Sequence, residues 1–180
     1  VYRRTHSRDL RYAPPPNTHS AALELLVDRV HGQGWHIDYR DEIAGNLLMP
    51  AVGKGSYGVV YKARINYRGK AADVAVKIFA DLEDMSEWRN EVDVLARLDH
   101  PNIVRLVGAC SHPQPTIVLE FCHNGSLRDL YSEFPQEING VRLQRWLAQC
   151  VRGLHYLHTR YPPLVHRDIK CTNMLIDARF

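Results

Sequence analysis

Several function classes can be set aside from what the chain lacks. Its four cysteines, Cys110, Cys122, Cys150 and Cys171, form no CxxC pair and no metal-ligand spacing. They read as reduced thiols of a cytosolic or nuclear-type compartment, and a cytoplasmic location is expected. No uninterrupted apolar run approaches the roughly 18 residues of a membrane span, and no signal-peptide pattern opens the chain. A strong charge of one sign is also missing, since 23 Lys and Arg against 20 Asp and Glu give a formal net charge of +3. Only Arg3, Arg4, Arg8 and Arg11 are locally basic. A short basic leader is usually a solvated tail, and no nucleic-acid partner is expected. There is no internal repeat.

What is present is an ordinary globular composition, 180 residues with 45% hydrophobic and 24% charged, which argues against wholesale disorder. The chain begins at Val1 and ends at Phe180 with no turn or cap, so both ends read as cut. Residues 1–34 read as linker with a short amphipathic helix. Pro14-Pro15-Pro16 favours extension, and Leu23, Leu26, Val27 and Val30 follow a Ser20 N-cap at helical spacing.

From about residue 45 the grammar changes to short apolar runs at 47–52, 59–63 and 74–79, separated by Gly-containing turns. This predicts an antiparallel sheet, with Pro50 requiring an edge or a bulge. A helix is predicted over 85–98, with Trp88, Val92, Leu95 and Ala96 on one side and a stop at Asp99-His100-Pro101-Asn102. Two more strands are predicted over 103–109 and 116–121. After His123-Asn124-Gly125 helix formers dominate, and residues 142–158 carry Leu143, Leu147, Cys150, Val151, Leu154 and Leu157 as a 3.6-residue stripe. The fold class is α+β: a five-stranded antiparallel sheet with one helix, then a mostly helical half.

Four elements could carry chemistry. Gly53-Lys54-Gly55-Ser56-Tyr57-Gly58 lets a hairpin turn bring bare N–H groups to phosphate oxygens. Such triplets are more often plain turns, and the flanking strands disfavour a dinucleotide fold. Lys77, ending the apolar strand Val74-Ala75-Val76, is either a surface residue or a point charge held at phosphates. Glu91, fourteen residues on, is either a solvated helix residue or the partner that fixes Lys77. The fourth element, His166-Arg167-Asp168-Ile169-Lys170-Cys171-Thr172-Asn173, is the most specific. Asp168 could orient a hydroxyl nucleophile, Asn173 could hold Mg²⁺, and Lys170 could offset charge on a transferring phosphate. The bland alternative is a polar loop between a helix and a strand.

These elements, in this order and at these distances, make residues 45–180 resemble the protein kinase superfamily. Trp35-His36-Ile37, Glu42-Ile43 and Lys170 resemble the tyrosine-kinase-like group of serine/threonine kinases, relatives of the mixed-lineage and Raf-type enzymes. The resemblance implies a bilobal kinase domain over 35–180. It would have a complete N-lobe at about 45–120, a hinge at 120–123 and a partial C-lobe at 124–180, truncated after the catalytic loop.

The resemblance further implies ATP and Mg²⁺ as cofactors and a protein substrate. Lys77, Glu91, Asp168 and Lys170 take the catalytic roles, and Asn173 is the metal ligand. Val52, Gly53, Gly55, Ser56, Gly58, Val60, Ala75, Leu119, Glu120, Cys122 and Leu175 join Lys77 around the nucleotide. Leu119 matches the gatekeeper. Leu95, Leu106 and His166 match three of four members of the packed column between lobes. Arg167 implies control by activation-loop phosphorylation.

The Asp of a DFG motif is expected about a dozen residues beyond Asp177. The apolar stripe of 143–157 is therefore expected to lack cover, leaving this piece aggregation-prone alone. The alternative reading is a pseudokinase or truncated fragment acting as a nucleotide- or protein-binding scaffold.

Overall fold

The computed structural model describes residues 35–55, 58–80 and 85–178. The linker and helix expected over 1–34 lie outside these residues, as do Ser56 and Tyr57. Two compact units result, one built from residues 35–98 and 105–121, the other from 99–104 and 122–178.

In the first unit the apolar runs become five antiparallel strands: β1 Leu47–Gly55, β2 Gly58–Tyr67, β3 Lys70–Phe79, β4 Leu106–Cys110 and β5 Thr116–Glu120. Their order across the sheet is β1-β2-β3-β5-β4. Pro50 lies on the edge strand β1, where the register shifts between Leu48 and Gly53, so its missing N–H interrupts no regular ladder. β2 and β3 run further than their apolar cores because Arg68 (φ 52°) and Gly69 (φ 78°) both adopt positive φ. That tight turn matches the strand twist and carries the pairing out to Tyr67 and Lys70. Asp73 secures this polar extension, meeting Lys62 at 2.7 Å and Arg64 at 2.9 Å.

One face of the sheet buries Ala63, Ile65, Val74, Val76, Val107 and Val118 with Ile37 and Ile43 from the lead-in. The lead-in also covers the edge of β4. Ala109 N–H donates to Trp35 O at 2.9 Å, and Ile37 N–H donates to Ala109 O at 3.4 Å. Gly108 allows this approach, since a Cβ there would sit 2.4 Å from Ile37 Cδ1. An edge strand thus gains a short parallel partner instead of open backbone. Asp38 caps the following turn, Tyr39–Ile43, by accepting from Arg40 and Asp41 N–H. Those two bonds hold its carboxyl below the usual range.

The helix expected over 85–98 is α1, Ser86–Leu95, with Trp88, Glu91, Val92 and Leu95 buried. Its C-terminus tightens through Arg97 N–H to Val94 O and Leu98 N–H to Leu95 O, so Ala96 falls at the cap rather than on the buried face.

The second unit holds α2, Leu127–Glu133, and α3, Gly140–His158. α2 starts with a reciprocal cap between Ser126 and Asp129. Leu127, Leu130, Trp146 and Ile176 form its core. On α3 the buried line is Trp146, Gly153 and Leu157. Of the predicted stripe Leu157 lies on this line, Cys150 and Leu154 are half-buried, and Leu143, Leu147 and Val151 are exposed. Gly153 is required because a Cβ would lie 2.9 Å from Asn102 O. The turn at 99–102 docks there, with Asp99 N–H donating to Tyr156 Oη and His100 stacked on the Tyr156 ring. No helix among the described residues is long and apolar enough to cross a membrane.

Candidate functional site

The two-residue period of β3 turns Val74 and Val76 into the core, which leaves Ala75, Lys77 and Phe79 for the opposite face. There Lys77 Nζ meets Glu91 Oε2 at 2.5 Å, with side-chain exposures of only 12% and 5%. The surface-lysine and solvated-glutamate readings are therefore not what this unit adopts. Phe79, itself buried, places its ring centroid 4.4 Å from the same ammonium. A desolvated cation over an aromatic face gains further attraction. Neither Phe79 nor Trp88 was singled out for a role by sequence reading, because an aromatic at core spacing reads only as packing.

The sheet register gathers the other nucleotide-face candidates. Val60 is the cross-strand partner of Lys77, and Leu119 that of Ala75. Ala75 and Leu119 are buried, whereas Val52 on β1 is exposed. Gly53 pairs with Val60, and Gly55 with Gly58. Gly58 adopts φ 154°, and a Cβ there would fall 2.1 Å from Ile78 O, so the hairpin itself demands glycine. Gly53 is different, since a Cβ there would make only ordinary contact with Val60 at 3.7 Å. Among the described residues its bareness serves no packing need and leaves backbone accessible to a ligand. Glu120 exchanges bonds with Arg105: its N–H donates to Arg105 O, and its Oε1 accepts from Arg105 N–H, both at 3.0 Å. Ser56 lies outside the described residues.

The second unit assembles Asp168, Lys170 and Asn173. Lys170 Nζ sits 2.8 Å from Asp168 Oδ1. Asn173 Nδ2 donates to Asp168 Oδ2 at 2.9 Å and to Asp168 O at 2.7 Å. The short turn Cys171–Asn173, closed by Asn173 N–H to Lys170 O, brings these groups together. Burial pushes the Asp168 carboxyl up, but the bonds from Lys170 and Asn173 outweigh it and hold the group below its usual range. Burial likewise pushes His166 down against the opposing pull of Asp168. A neutral ring suits its contact, because His166 Nδ1 accepts from Asp168 N–H at 3.3 Å. Arg167 between them holds φ 60°, a strained conformation of the kind stored at functional loops.

Asn173 Oδ1 is buried and has no hydrogen-bond partner among the described residues. A hard amide oxygen left unsatisfied beside a carboxylate fits a Mg²⁺ ligand. Leu175 forms an antiparallel bridge with Ser126. Cys122 closes the turn before α2, its carbonyl accepting from Gly125 N–H at 3.2 Å.

Comparison with known proteins agrees with this geometry. The profile of the family described as protein tyrosine and serine/threonine kinase matches residues 47–180. The probable serine/threonine-protein kinase drkD of Dictyostelium discoideum is 42% identical over 132 residues, 70% of this chain and 10% of that protein. Mitogen-activated protein kinase kinase kinase 7 of Drosophila melanogaster is 41% identical over 132 residues, 72% of this chain and 19% of its own length. Serine/threonine-protein kinase CTR1 of Arabidopsis thaliana is 39% identical over 136 residues, 72% of this chain and 16% of that protein. The chain thus spans less than a fifth of each of these relatives. With the profile matched from the start of β1 onward, and the Lys77–Glu91 pair and the Asp168–Lys170–Asn173 cluster both formed, the chain belongs to the protein tyrosine and serine/threonine kinase family.

Proposed function

We propose that this chain is the nucleotide-handling and catalytic-loop portion of a serine/threonine protein kinase, which moves the γ-phosphate of ATP to a protein hydroxyl. The observation that carries the reading is the Lys77–Glu91 ion pair, a lysine ammonium withdrawn from solvent and held at one point. An exposed surface lysine would not need a buried glutamate. Phosphate positioning does need one, because a wandering ammonium loses much of its orienting effect.

In this reading ATP supplies the activated phosphoanhydride, and Mg²⁺ bound beside it would neutralise its oxygens. Val60, Ala75 and Leu119 of the first unit give an apolar bed for the base, and the backbone of Glu120 holds its edge. Lys77 donates to phosphate oxygens while Glu91 keeps it in place. Asp168, ionised by its bonds to Lys170 and Asn173, orients the substrate hydroxyl and accepts its hydrogen bond. Lys170 is near enough to that carboxylate to offset charge on the phosphate in flight. Asn173 Oδ1 would hold Mg²⁺. Lys170 and the names of the relatives support serine or threonine over tyrosine as acceptor. The four cysteines, none of them in a disulfide, support a reducing, cytoplasmic location.

The test is transfer of labelled phosphate from ATP by the full-length protein and by its Asp168→Asn variant. The wild type is expected to yield phosphoserine or phosphothreonine, and the variant to lose at least about 100-fold in rate. Equal rates would remove Asp168 from its role. Phosphotyrosine as the sole product would overturn the acceptor class, and no transfer by the wild type would overturn catalysis.

A further inference from the structure

Helix α1 delivers Glu91, and its N-cap residue is an apolar one. Met85 stands at the N-cap position and gives no side-chain hydrogen bond, so it does not supply the side-chain cap that Ser, Thr, Asp or Asn would. At ten residues the helix is too short to persist without tertiary support. What fixes its position is therefore what sets the distance between Glu91 and Lys77.

One contact stands out. Trp88, one turn before Glu91 and on the same buried face, sends its Nε1–H to Thr116 O at 3.1 Å. Both ends are sealed, since Trp88 is 3% exposed and Thr116 0%. Water cannot replace the indole there, so losing the N–H would cost a buried hydrogen bond outright. The acceptor is also well placed. Thr116 begins β5 and is the cross-strand partner of Ile78 on β3, next in sequence to Lys77. The neighbouring carbonyl, Pro115 O, accepts from Phe79 N–H at 2.9 Å. The same two residues of chain thus tie down the end of β3 that carries Lys77 and the turn of α1 that carries Glu91.

We infer that Trp88 is a positioning residue for the phosphoryl-transfer site, acting through its indole N–H to hold α1 where Glu91 reaches Lys77. The inference rests on the kinase reading for its consequence but not for its geometry. Ring burial alone would need only an aromatic, whereas this role needs the donor. Removing the N–H lets the helix shift or rotate, and the Lys77–Glu91 pair opens a fraction of the time.

The experiment uses the full-length protein and reads the pair directly. Lys77 modification by a trace of an amine-directed acylating reagent is followed by mass spectrometry in wild type, Trp88→Phe, Glu91→Gln and the double variant. A second form carries 3-benzothienylalanine at position 88, where sulfur replaces the N–H with little change of shape, should Trp88→Phe fold poorly. Glu91→Gln exposes the amine and raises labelling. Trp88→Phe or the benzothienyl form is expected to raise it as well, on the order of tenfold for one lost buried hydrogen bond. In the Glu91→Gln background either change at position 88 should add almost nothing, because the pair is already broken.

Unchanged Lys77 labelling in Trp88→Phe and the benzothienyl form, even with a lower melting temperature, makes Trp88 a packing residue and overturns the inference. So does a full additive increase in the double variant. Phosphate transfer measured on the same samples separates the two claims. A wild type without transfer sinks the kinase proposal, while the labelling pattern still decides the role of Trp88.

Discussion

Replacing Lys77 by Met, alone and with Glu91→Leu, separates what the ion pair does for stability from what it does for chemistry. At 2.5 Å and an effective dielectric of about 20, the attraction is about 7 kcal/mol before desolvation. Withdrawing the two ions to 12% and 5% exposure costs several kcal/mol each. The two contributions nearly cancel, so the pair contributes little net stability. Breaking it from one side is another matter. Lys77→Met leaves Glu91 buried without its cation, and destabilisation of about 3 kcal/mol is expected. The Met/Leu double variant removes both charges, and the Phe79 ring gains a thioether neighbour in place of the ammonium. It should return to within about 1 kcal/mol of wild type or exceed it. Chemical-denaturation midpoints of the whole kinase domain measure this, and phosphate transfer should be lost in both variants. If the double variant is as unstable as Lys77→Met alone, the pair is a net structural asset and the argument that it exists for phosphate positioning fails.

Gly108→Ala should destabilise the first unit by about 1–3 kcal/mol through overpacking, because the new Cβ meets Ile37 Cδ1 at 2.4 Å and Trp35 O at 2.7 Å. Adding Ile37→Ala should relieve only the side-chain part, so a complete rescue of the unfolding midpoint would contradict the backbone clash. Burial pushes the Cys110 thiol up to about 11, so at pH 8 iodoacetamide should modify the exposed Cys171 and spare Cys110. The sign for stability follows from the raised value. Folding binds the Cys110 proton more tightly, so the contribution is complete below the ordinary thiol range and is lost as pH rises towards about 11. A denaturant midpoint that climbs across that interval in wild type, relative to Cys110→Ala, would contradict it.

Much of this was legible because it follows local rules. Alternation located β1, β2, β3 and β5, and the spacing of Gly53, Lys77, Glu91 and Asp168 marks these residues as candidates for the chemistry. What escaped depended on partners distant in sequence. The lead-in pairs with Ala109 through only a few residues, too short a run to show periodicity, so Ile37 and Ile43 read as family resemblance and not as core. The stripe on α3 showed that an apolar face exists, but periodicity carries no information about what covers it. The buried line runs through Trp146, Gly153 and Leu157, where Asn102 O approaches so closely that glycine is obligatory. Within the stripe Leu157 is buried while Leu147 is exposed, and nothing in the local pattern marks Gly153 as the point of closest approach.

The same limit explains why the site residues themselves were easier to find than the residues that support them. Lys77, Glu91, Asp168 and Asn173 are unusual in their settings: a lysine after an apolar strand, and polar groups packed between apolar segments. Their supports carry no such mark. Phe79 and Trp88 satisfy the apolar pattern of β3 and α1 completely, and their added roles depend on one ring face and one N–H that hydropathy does not register. Position 88 asks for an aromatic on packing grounds alone. It asks for tryptophan only because Thr116 O lies 3.1 Å from the indole nitrogen in a place water does not reach. A phenylalanine there would satisfy every rule read from sequence and still lose the bond to that carbonyl. The difference between packing α1 against the sheet and holding Glu91 at Lys77 therefore rests on a single donor.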